Sequence, residues 1–311
     1  MLIYILSEKK DLVTDIVIEW IHSKKYKFKR FNDDDFIVNF NKFLNEKINK
    51  IWLRRGTFNL IPNLIYSNFY NRNNIINYIT REVREYSVYL EYILKKRLEN
   101  NYIGSFTKEI STNNKLINLE VAKEVGFKTP TTIITSSKEE LLAFYKKHQK
   151  IISKDLRAPV HIRTRYKNIV STGVKLITSK MLQNLEDYFV PIFAQKYIEK
   201  KYEIRIFIFS KKLYAMAIFS QKDDKTKIDY RDYNNQKPNR CVPVLLPKHI
   251  EKKVWSFMKK VDMNTGSIDL IVTPKNEYYF LEINPMGQFH WLSANCNYYI
   301  EKDIADFLTN E

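Results

Sequence analysis

Glycine is scarce, with six residues in a chain of 311. None falls into G-x-G-x-x-G and none opens a Walker A loop, so the dinucleotide fingerprint and the P-loop are both excluded. Cysteine is scarcer still. Cys241 and Cys296 give neither a disulfide framework nor a zinc pattern, which fits a reducing cytoplasm. The histidines (His22, His148, His161, His249 and His290) show no H-E-x-x-H or paired spacing, and no G-x-S-x-G elbow offers a hydrolase serine. No run approaches a membrane span. The apolar stretch at 2–6 is too short for a signal peptide and lacks a basic flank. Internal repeats and long low-complexity linkers are missing too. A nucleotide, if bound, must be held by other means.

What is present supports a large core. The chain is 44% hydrophobic and 14% aromatic, and its length suits one large or two to three small domains. Basic residues number 52 against 35 acidic ones, a formal charge of +17. That balance favours an anionic partner: nucleotide, acidic peptide, nucleic acid or anionic membrane. The lysines are spread along the whole chain, so the charge can equally serve solubility alone.

The pattern of elements is α/β. A strand at 2–6, a helix at 11–24, a strand at 50–53 and a long helix at 75–98 form a first unit ending near 105. A second unit follows, with a helix at 113–125 stopped by Gly126. It continues with a strand at 131–135, a helix at 139–147 capped by Ser136 or Ser137, strands at 151–154 and 169–177, and a short helix near 180–187. A third runs from 191 with strands at 192–197, 202–209 and 212–219, a polar stretch at 221–239, a helix at 248–260, two more strands and a last helix near 298–308. The short turn at Ser210-Lys211-Lys212 argues for an antiparallel sheet in this third unit.

The last two strands carry the sharpest signal. Ser267-Ile268-Asp269-Leu270-Ile271-Val272 and Tyr278-Tyr279-Phe280-Leu281-Glu282-Ile283-Asn284-Pro285 place acid inside apolar runs. An unpaired buried carboxylate costs several kcal/mol or shifts its pKa until neutral, so these acids ask for a cation. Alternation puts Glu282 and Asn284 on one face and sends Leu281 and Ile283 into the opposite layer. If the strands are neighbours, Asp269 joins them in an all-oxygen set suited to Mg²⁺. The bland alternative is three polar residues on a half-exposed sheet.

Other residues could hold a polyphosphate. Lys115 opens the second unit and Lys154 ends an apolar strand; alone, each reads equally as a surface lysine. Ser171-Thr172-Gly173 sits in a hairpin whose amides and hydroxyls could cover phosphates. In the segment from Phe193 to Phe207 a strand exits into a short charged link at Ile198 to Lys201 and re-enters a strand, where Glu203 and Arg205 share a face. They could pair with each other, or hold ribose hydroxyls and phosphate respectively.

In this order, Lys115, Lys154, the hinge from Gln195 to Ile198, Glu203, Arg205, Asp269 and Glu282-Ile283-Asn284-Pro285 resemble the ATP-grasp superfamily, from about Lys115 to the end. The E-x-N ending with an Asp thirteen residues earlier is its specific part. Asn114-Lys115-Leu116, Gly126-Phe127-Lys128-Thr129-Pro130 and Asn284-Pro285-Met286-Gly287-Gln288-Phe289 resemble the microviridin-type peptide ligases. The tail from Gln288 to Ser293, with Cys296-Asn297-Tyr298-Tyr299-Ile300-Glu301, is similar to the grasp-with-spasm peptide maturases, which are graspetide synthetases. Trp52-Leu53-Arg54-Arg55 fits a pre-grasp domain loosely, and the loop at 171–173 departs from the glycine-rich ATP-grasp loops.

The resemblance implies an ATP-grasp fold of three parts: a pre-grasp α/β domain at 1–105, a central α/β subdomain at 106–190 and a C-terminal antiparallel-sheet subdomain at 191–311. ATP would lie between the last two. It implies that Lys115 and Lys154 contact phosphates, that Gln195, Lys196 and Ile198 meet adenine chiefly through the backbone, and that Glu203 holds ribose. Asp269, Glu282 and Asn284 would coordinate two Mg²⁺ ions, and Arg205 would neutralise the transferred phosphoryl. Arg231 or Arg240 would orient a substrate carboxylate or the phosphate; a solvated charged loop is the alternative. Asp232 and His290 are candidates for a general base.

The activity implied is ATP-dependent ring formation. Asp or Glu side chains of a ribosomal precursor peptide, activated as acyl phosphates, would condense with Ser/Thr hydroxyls or Lys amines. The expected partner is a precursor peptide with a leader and an acidic core; neither membrane nor nucleic acid is expected, and a homodimer fits related ligases. Three rivals remain: a ligase adding free amino acids to a protein or small molecule, a basic nucleic-acid-binding protein, and a degenerate ATP-grasp that only binds peptide. The second leaves the buried acids unexplained, and the third leaves Asp269, Glu282 and Asn284 without a task.

Overall fold

The computed structural model describes residues 1–32, 40–55, 72–156, 161–163, 168–170, 173–232 and 234–310. The first unit contains β1 (Leu2–Leu6), α1 (Leu12–Ser23), β2 (Lys27–Phe31), α2 (Phe40–Asn45), β3 (Lys50–Leu53), α3 (Arg72–Leu98) and β4 (Tyr102–Ile103). The strands are all parallel, in the order β2-β1-β3-β4. Parallel sheets are covered on both faces, which explains the unbroken apolar runs of β1 and β3. Tyr4, Leu6, Ile51 and Leu53 face Phe43, Leu90 and Leu94, while Ile3, Ile5 and Trp52 share a core with Phe207, Leu292 and Ile304 of the C-terminal part.

The central unit holds α4 (Phe106–Ser111), α5 (Lys115–Glu124), β5 (Thr132–Ser137), α6 (Lys138–His148), β6 (Ile151–Lys154), β7 (His161–Arg163), β8 (Asn168–Val170), β9 (Val174–Ile177), α7 (Ser179–Gln183) and β10 (Tyr188–Lys196). Side-chain caps fix the helix starts. Asn114 accepts from the amides of Leu116 and Ile117, and Ser137 accepts from that of Glu140. Gly126, at φ +84°, ends α5 as expected. The sheet runs β5-β10-β6-β9, antiparallel throughout.

Two expectations change here. The single strand at 169–177 is two: β8 pairs with β7, and β9 pairs with β6, with Gly173 at φ +53° just before β9. The rest of the proposed phosphate loop, Ser171-Thr172, lies outside the described residues. The strand at 192–197 belongs to the central sheet, not to the third unit. A boundary at 190/191 therefore falls inside β10, whose nearly unbroken apolar run fits either sheet.

The C-terminal unit holds β11 (Tyr202–Phe209), β12 (Lys212–Phe219), β13 (Arg240–Pro243), α8 (Lys248–Lys260), β14 (Thr265–Val272), β15 (Tyr278–Asn284), α9 (His290–Cys296) and α10 (Ile300–Thr309). Its antiparallel sheet has the order β13-β12-β11-β14-β15. One face carries Ile204, Ile206, Ile268, Leu270 and Phe280 against α8, whose Ile250, Val254, Phe257 and Met258 recur at helical spacing. The other face changes character along β11, from Glu203 and Arg205 to the buried Phe207 and Phe209. Its charged end borders the cleft, and its apolar end is roofed by the first unit, α9 and α10.

Candidate active site

A cleft opens between the central and C-terminal sheets. β6, β9 and β10 contribute Ile152, Lys154, Val174, Gln195 and Lys196. The link to β11 adds Tyr197, Ile198 and Lys200. Opposite stand Glu203, Asp269, Ile271, Leu281 and Glu282, with the loop at 228–231 across one side.

The two acid-bearing strands are neighbours, and Asp269 lies directly opposite Glu282 in the register. The next pair is Leu270 with Phe280, so Leu281 is an extra residue in a β-bulge. This corrects the alternation expected from the sequence: Ile283 enters the core, but Leu281 lines the cleft beside Glu282. Asn284 lies opposite Ser267, and its Oδ1 accepts the Met286 amide at 3.1 Å. The Oγ of Ser267 is buried without a partner among the described residues.

Each acid is matched by cations. Arg205 Nη1 donates to Asp269 at 2.7 Å, both side chains being under 10% exposed. Burial pushes the Asp269 carboxyl up, against the pull of Arg205. Burial would likewise lower the Arg205 guanidinium, but Asp269 holds it above its usual range. The Arg231 side chain donates to both oxygens of Asp229, at 2.9 Å from Nε and 2.7 Å from Nη2, and reaches Glu282 at 3.4 Å. Burial alone would raise the Glu282 carboxyl, yet Arg231, Lys154 and Lys115 hold it low.

The predicted nucleotide residues fall around the same cleft. Lys115, the first residue of α5, donates to the Asp155 carbonyl at 2.8 Å and lies 3.7 Å from Glu282. Burial pulls Lys154 down to about 8, against the nearby charge of Glu282. Gln195 is buried and donates to the Thr132 hydroxyl at 3.0 Å, so its side chain braces β10 on β5. Glu203 is held by Lys200 and the Ser220 hydroxyl. Its burial raises the carboxyl, with Lys200 opposing.

Arg240 is not among the lining residues. It is exposed at the start of β13, with its guanidinium 5.6 Å from the ring of Phe219. Asp232 is exposed in the loop, and His290 pairs with Glu301. Sequence reading missed Asp229, Tyr230 and Lys200. Asp229 and Tyr230 lie in the polar stretch, where no periodicity marks inward residues. Lys200 is one of several link lysines, and only its reach to Glu203 and the Ile228 carbonyl at 3.1 Å distinguishes it. Arg54, noted in the sequence only as part of Trp52-Leu53-Arg54-Arg55, reaches from the first unit to the turn after β15. Its Nη1 donates to the Met286 carbonyl at 2.5 Å, tying β3 to the turn after Asn284.

The donor set fits a hard divalent cation. Two carboxylates face each other at one ladder position, Asn284 shares the face of Glu282, and the unpartnered Ser267 hydroxyl is two residues from Asp269 on its strand. The same acid pair lies beside guanidinium and ammonium groups, Arg205 at Asp269 and Arg231 and Lys115 at Glu282.

Comparison with known proteins agrees with this geometry. The RimK-like ATP-grasp domain family matches residues 112–308. A RiPP-associated ATP-grasp ligase of Chryseobacterium gregarium, solved with ADP and a leader and core peptide, is 26% identical with a TM-score of 0.82. That match covers 99% of this chain and 96% of that one. The macrocyclase MdnC of Microcystis aeruginosa, bound to its precursor peptide MdnA, is 25% identical with a TM-score of 0.77 over 100% and 99% of the two chains. D-alanine–D-alanine ligase of Bacillus anthracis, 16% identical with a TM-score of 0.52 over 92% and 86%, shares the fold. No curated protein matches the sequence.

Proposed function

The chain belongs to the RimK-like ATP-grasp family, and from that premise we propose that it is an ATP-dependent peptide ligase closing rings in a ribosomal precursor peptide. The observation that carries this reading is the Asp269–Glu282 pair, set face to face in a cleft ringed by Lys115, Lys154, Arg205 and Arg231. Opposed carboxylates among four cations suit a metal-bound polyphosphate better than any neutral ligand. The peptide complexes of the C. gregarium ligase and of MdnC support a substrate with leader and core segments.

Adenine would lie against the apolar side chains of Ile152, Val174 and Ile271, beside the backbone of Lys196 and Ile198. Glu203, already oriented by Lys200 and Ser220, would accept the ribose hydroxyls. Lys115 and Lys154 would meet the phosphates. Asp269, Glu282 and Asn284 would hold two Mg²⁺ ions, which offset the negative charge spread over the transferred phosphoryl.

A carboxylate is a poor electrophile with no good leaving group. Attack by an Asp or Glu side-chain oxygen on the γ-phosphorus releases ADP and makes an acyl phosphate, which removes both obstacles. Arg205, locked in place by Asp269, is a preorganised charge for the phosphoryl. Arg231 is the better placed of the two loop arginines to orient the carboxylate, because it already touches Glu282. Arg240, exposed on the edge strand, is offered to acidic residues of the peptide. A hydroxyl or amine of the same chain then attacks, and tethering makes this step effectively unimolecular. Closure of the cleft must exclude water, which would otherwise hydrolyse the intermediate.

The metal assignment has a direct test. In Glu282→Gln, binding of ADP should lose its dependence on Mg²⁺, and turnover should fall by about 10²-fold or more, the cost of losing one transition-state stabiliser. An unchanged Mg²⁺ dependence would remove Glu282 from the metal site.

A further inference from the structure

The second step needs a group to take the proton of the attacking hydroxyl or amine. The acids of the cleft are poor choices: Asp269, Glu282 and Asp229 are each bound to arginine, and Glu203 to Lys200. Asp232 is exposed in the loop. A different pair stands just past the turn that follows Asn284.

His290 opens α9, and its Nδ1 lies 2.8 Å from Oε1 of Glu301 at the start of α10. Glu301 is 6% exposed. Its other oxygen accepts the Ser293 hydroxyl at 2.6 Å, and Ser293 Oγ itself accepts the Ile300 amide at 3.1 Å. That amide occupies a lone pair of Oγ, and the hydroxyl proton goes to Glu301. The carboxylate can only accept from His290, so Nδ1 carries the hydrogen and Nε2 keeps its lone pair. No described residue bonds Nε2, and the side chain is 41% exposed. A buried carboxylate fixing one imidazole nitrogen while the other faces outward is the arrangement of an oriented base.

The flanking residues place it. Phe289 stacks on Phe207 with centroids 4.4 Å apart, and Phe207 shares a face of β11 with Arg205. Trp291 stacks on Tyr230 at 6.0 Å, and Tyr230 lines the cleft. Phe289 and Trp291 thus seat α9 on the Arg205 face of the sheet and beside Tyr230 of the cleft, with His290 between them in sequence and next to, not among, the residues that line the cleft.

We propose that His290 Nε2 is the base of ring closure, with Glu301 as the positioning residue behind it and Ser293 steering Glu301. The assignment rests on the ligase reading above. The hydroxyl oxygen forms a bond to the acyl carbon, its proton passes to His290 Nε2, and the carbon–oxygen bond to phosphate breaks. Inorganic phosphate leaves with that electron pair, and His290 gives its proton to solvent. With an amine nucleophile, a carbon–nitrogen bond forms and the amine proton follows the same route.

The test separates the two half-reactions. Full-length enzyme, ATP, Mg²⁺ and a short Ser/Thr- and Asp/Glu-rich precursor peptide are followed by mass, with and without hydroxylamine. Hydroxylamine attacks an acyl phosphate unaided and yields a hydroxamate. His290→Gln should slow ring closure by about 10²-fold or more, the usual worth of a general base, while hydroxamate still forms at the wild-type rate. Glu301→Gln should slow closure less and also spare the hydroxamate. Closure by His290→Gln at the wild-type rate would overturn the assignment. So would parallel loss of ring and hydroxamate, which would mark His290 as a brace of the α9–α10 corner. Wild-type enzyme giving neither product would overturn the ligase reading, and this assignment with it.

Discussion

Lys154 ends β6 inside the cleft, where burial pulls its ammonium down to about 8 from an ordinary value near 10.5. Glu282 opposes that fall, while Lys115 and Arg231 add to it. Between those two values Lys154 is a largely neutral amine. Phosphates brought beside it would favour the charged form. Nucleotide binding should therefore take up protons above about pH 8, and affinity should fall as pH rises towards 10. Titration calorimetry at pH 9 in buffers of differing ionisation enthalpy measures that uptake, and Lys154→Met should abolish it. Arg205 and Asp269 are coupled differently. Removing one member of a buried pair strands the other, so Arg205→Ala should cost about 3–5 kcal/mol in denaturant unfolding. Arg205→Lys should restore part of the stability but little turnover, because lysine lacks the fixed fork of donors.

The turn after β15 shows how one element positions several side chains. Gly287 adopts φ +52°, and a Cβ there would sit 2.8 Å from the ring of Phe207. Gly287→Ala must displace either that ring or the turn carrying Asn284. The expected result is a loss of Mg²⁺-dependent ADP binding with only modest loss of stability, read by calorimetry and thermal unfolding. The strands around this turn were legible because apolar alternation and acids in apolar runs are local signals. The bulge at Leu281 was not, since it depends on β14 and β15 falling out of step by one residue. The polar stretch at 221–239 hid Asp229 and Tyr230 for a related reason. Its inward residues are chosen by contact with β15 and α9, far away in sequence. β10 was assigned to the wrong sheet because its partners, β5 and β6, are fixed by pairing and not by its own residues.

At the scale of the whole molecule, the first unit is joined to the catalytic part by a common core. Ile3, Ile5 and Trp52 pack with Phe207, Leu292 and Ile304, and Arg54 bonds the Met286 carbonyl. A chain cut to residues 106–311 would expose that apolar face, and it should fail to unfold cooperatively or stay in solution. The lysine-rich charge of the chain takes on a narrower meaning in this fold. Four of its cations converge on one acid pair, which a general affinity for nucleic acid would not require. No described helix is long and apolar enough to cross a membrane. The three-part ATP-grasp layout was legible as a whole from the order of a few polar residues along the chain, while the seam between the last two parts, which cuts β10, was not.

The most direct test of the account is the mass of an acidic, Ser/Thr-rich peptide encoded beside this protein after incubation with it, ATP and Mg²⁺. The account predicts loss of one water for each ring formed, only when ATP is present, with ADP released in step. A peptide of unchanged mass, from an enzyme that shows no binding of ATP or ADP, would contradict it.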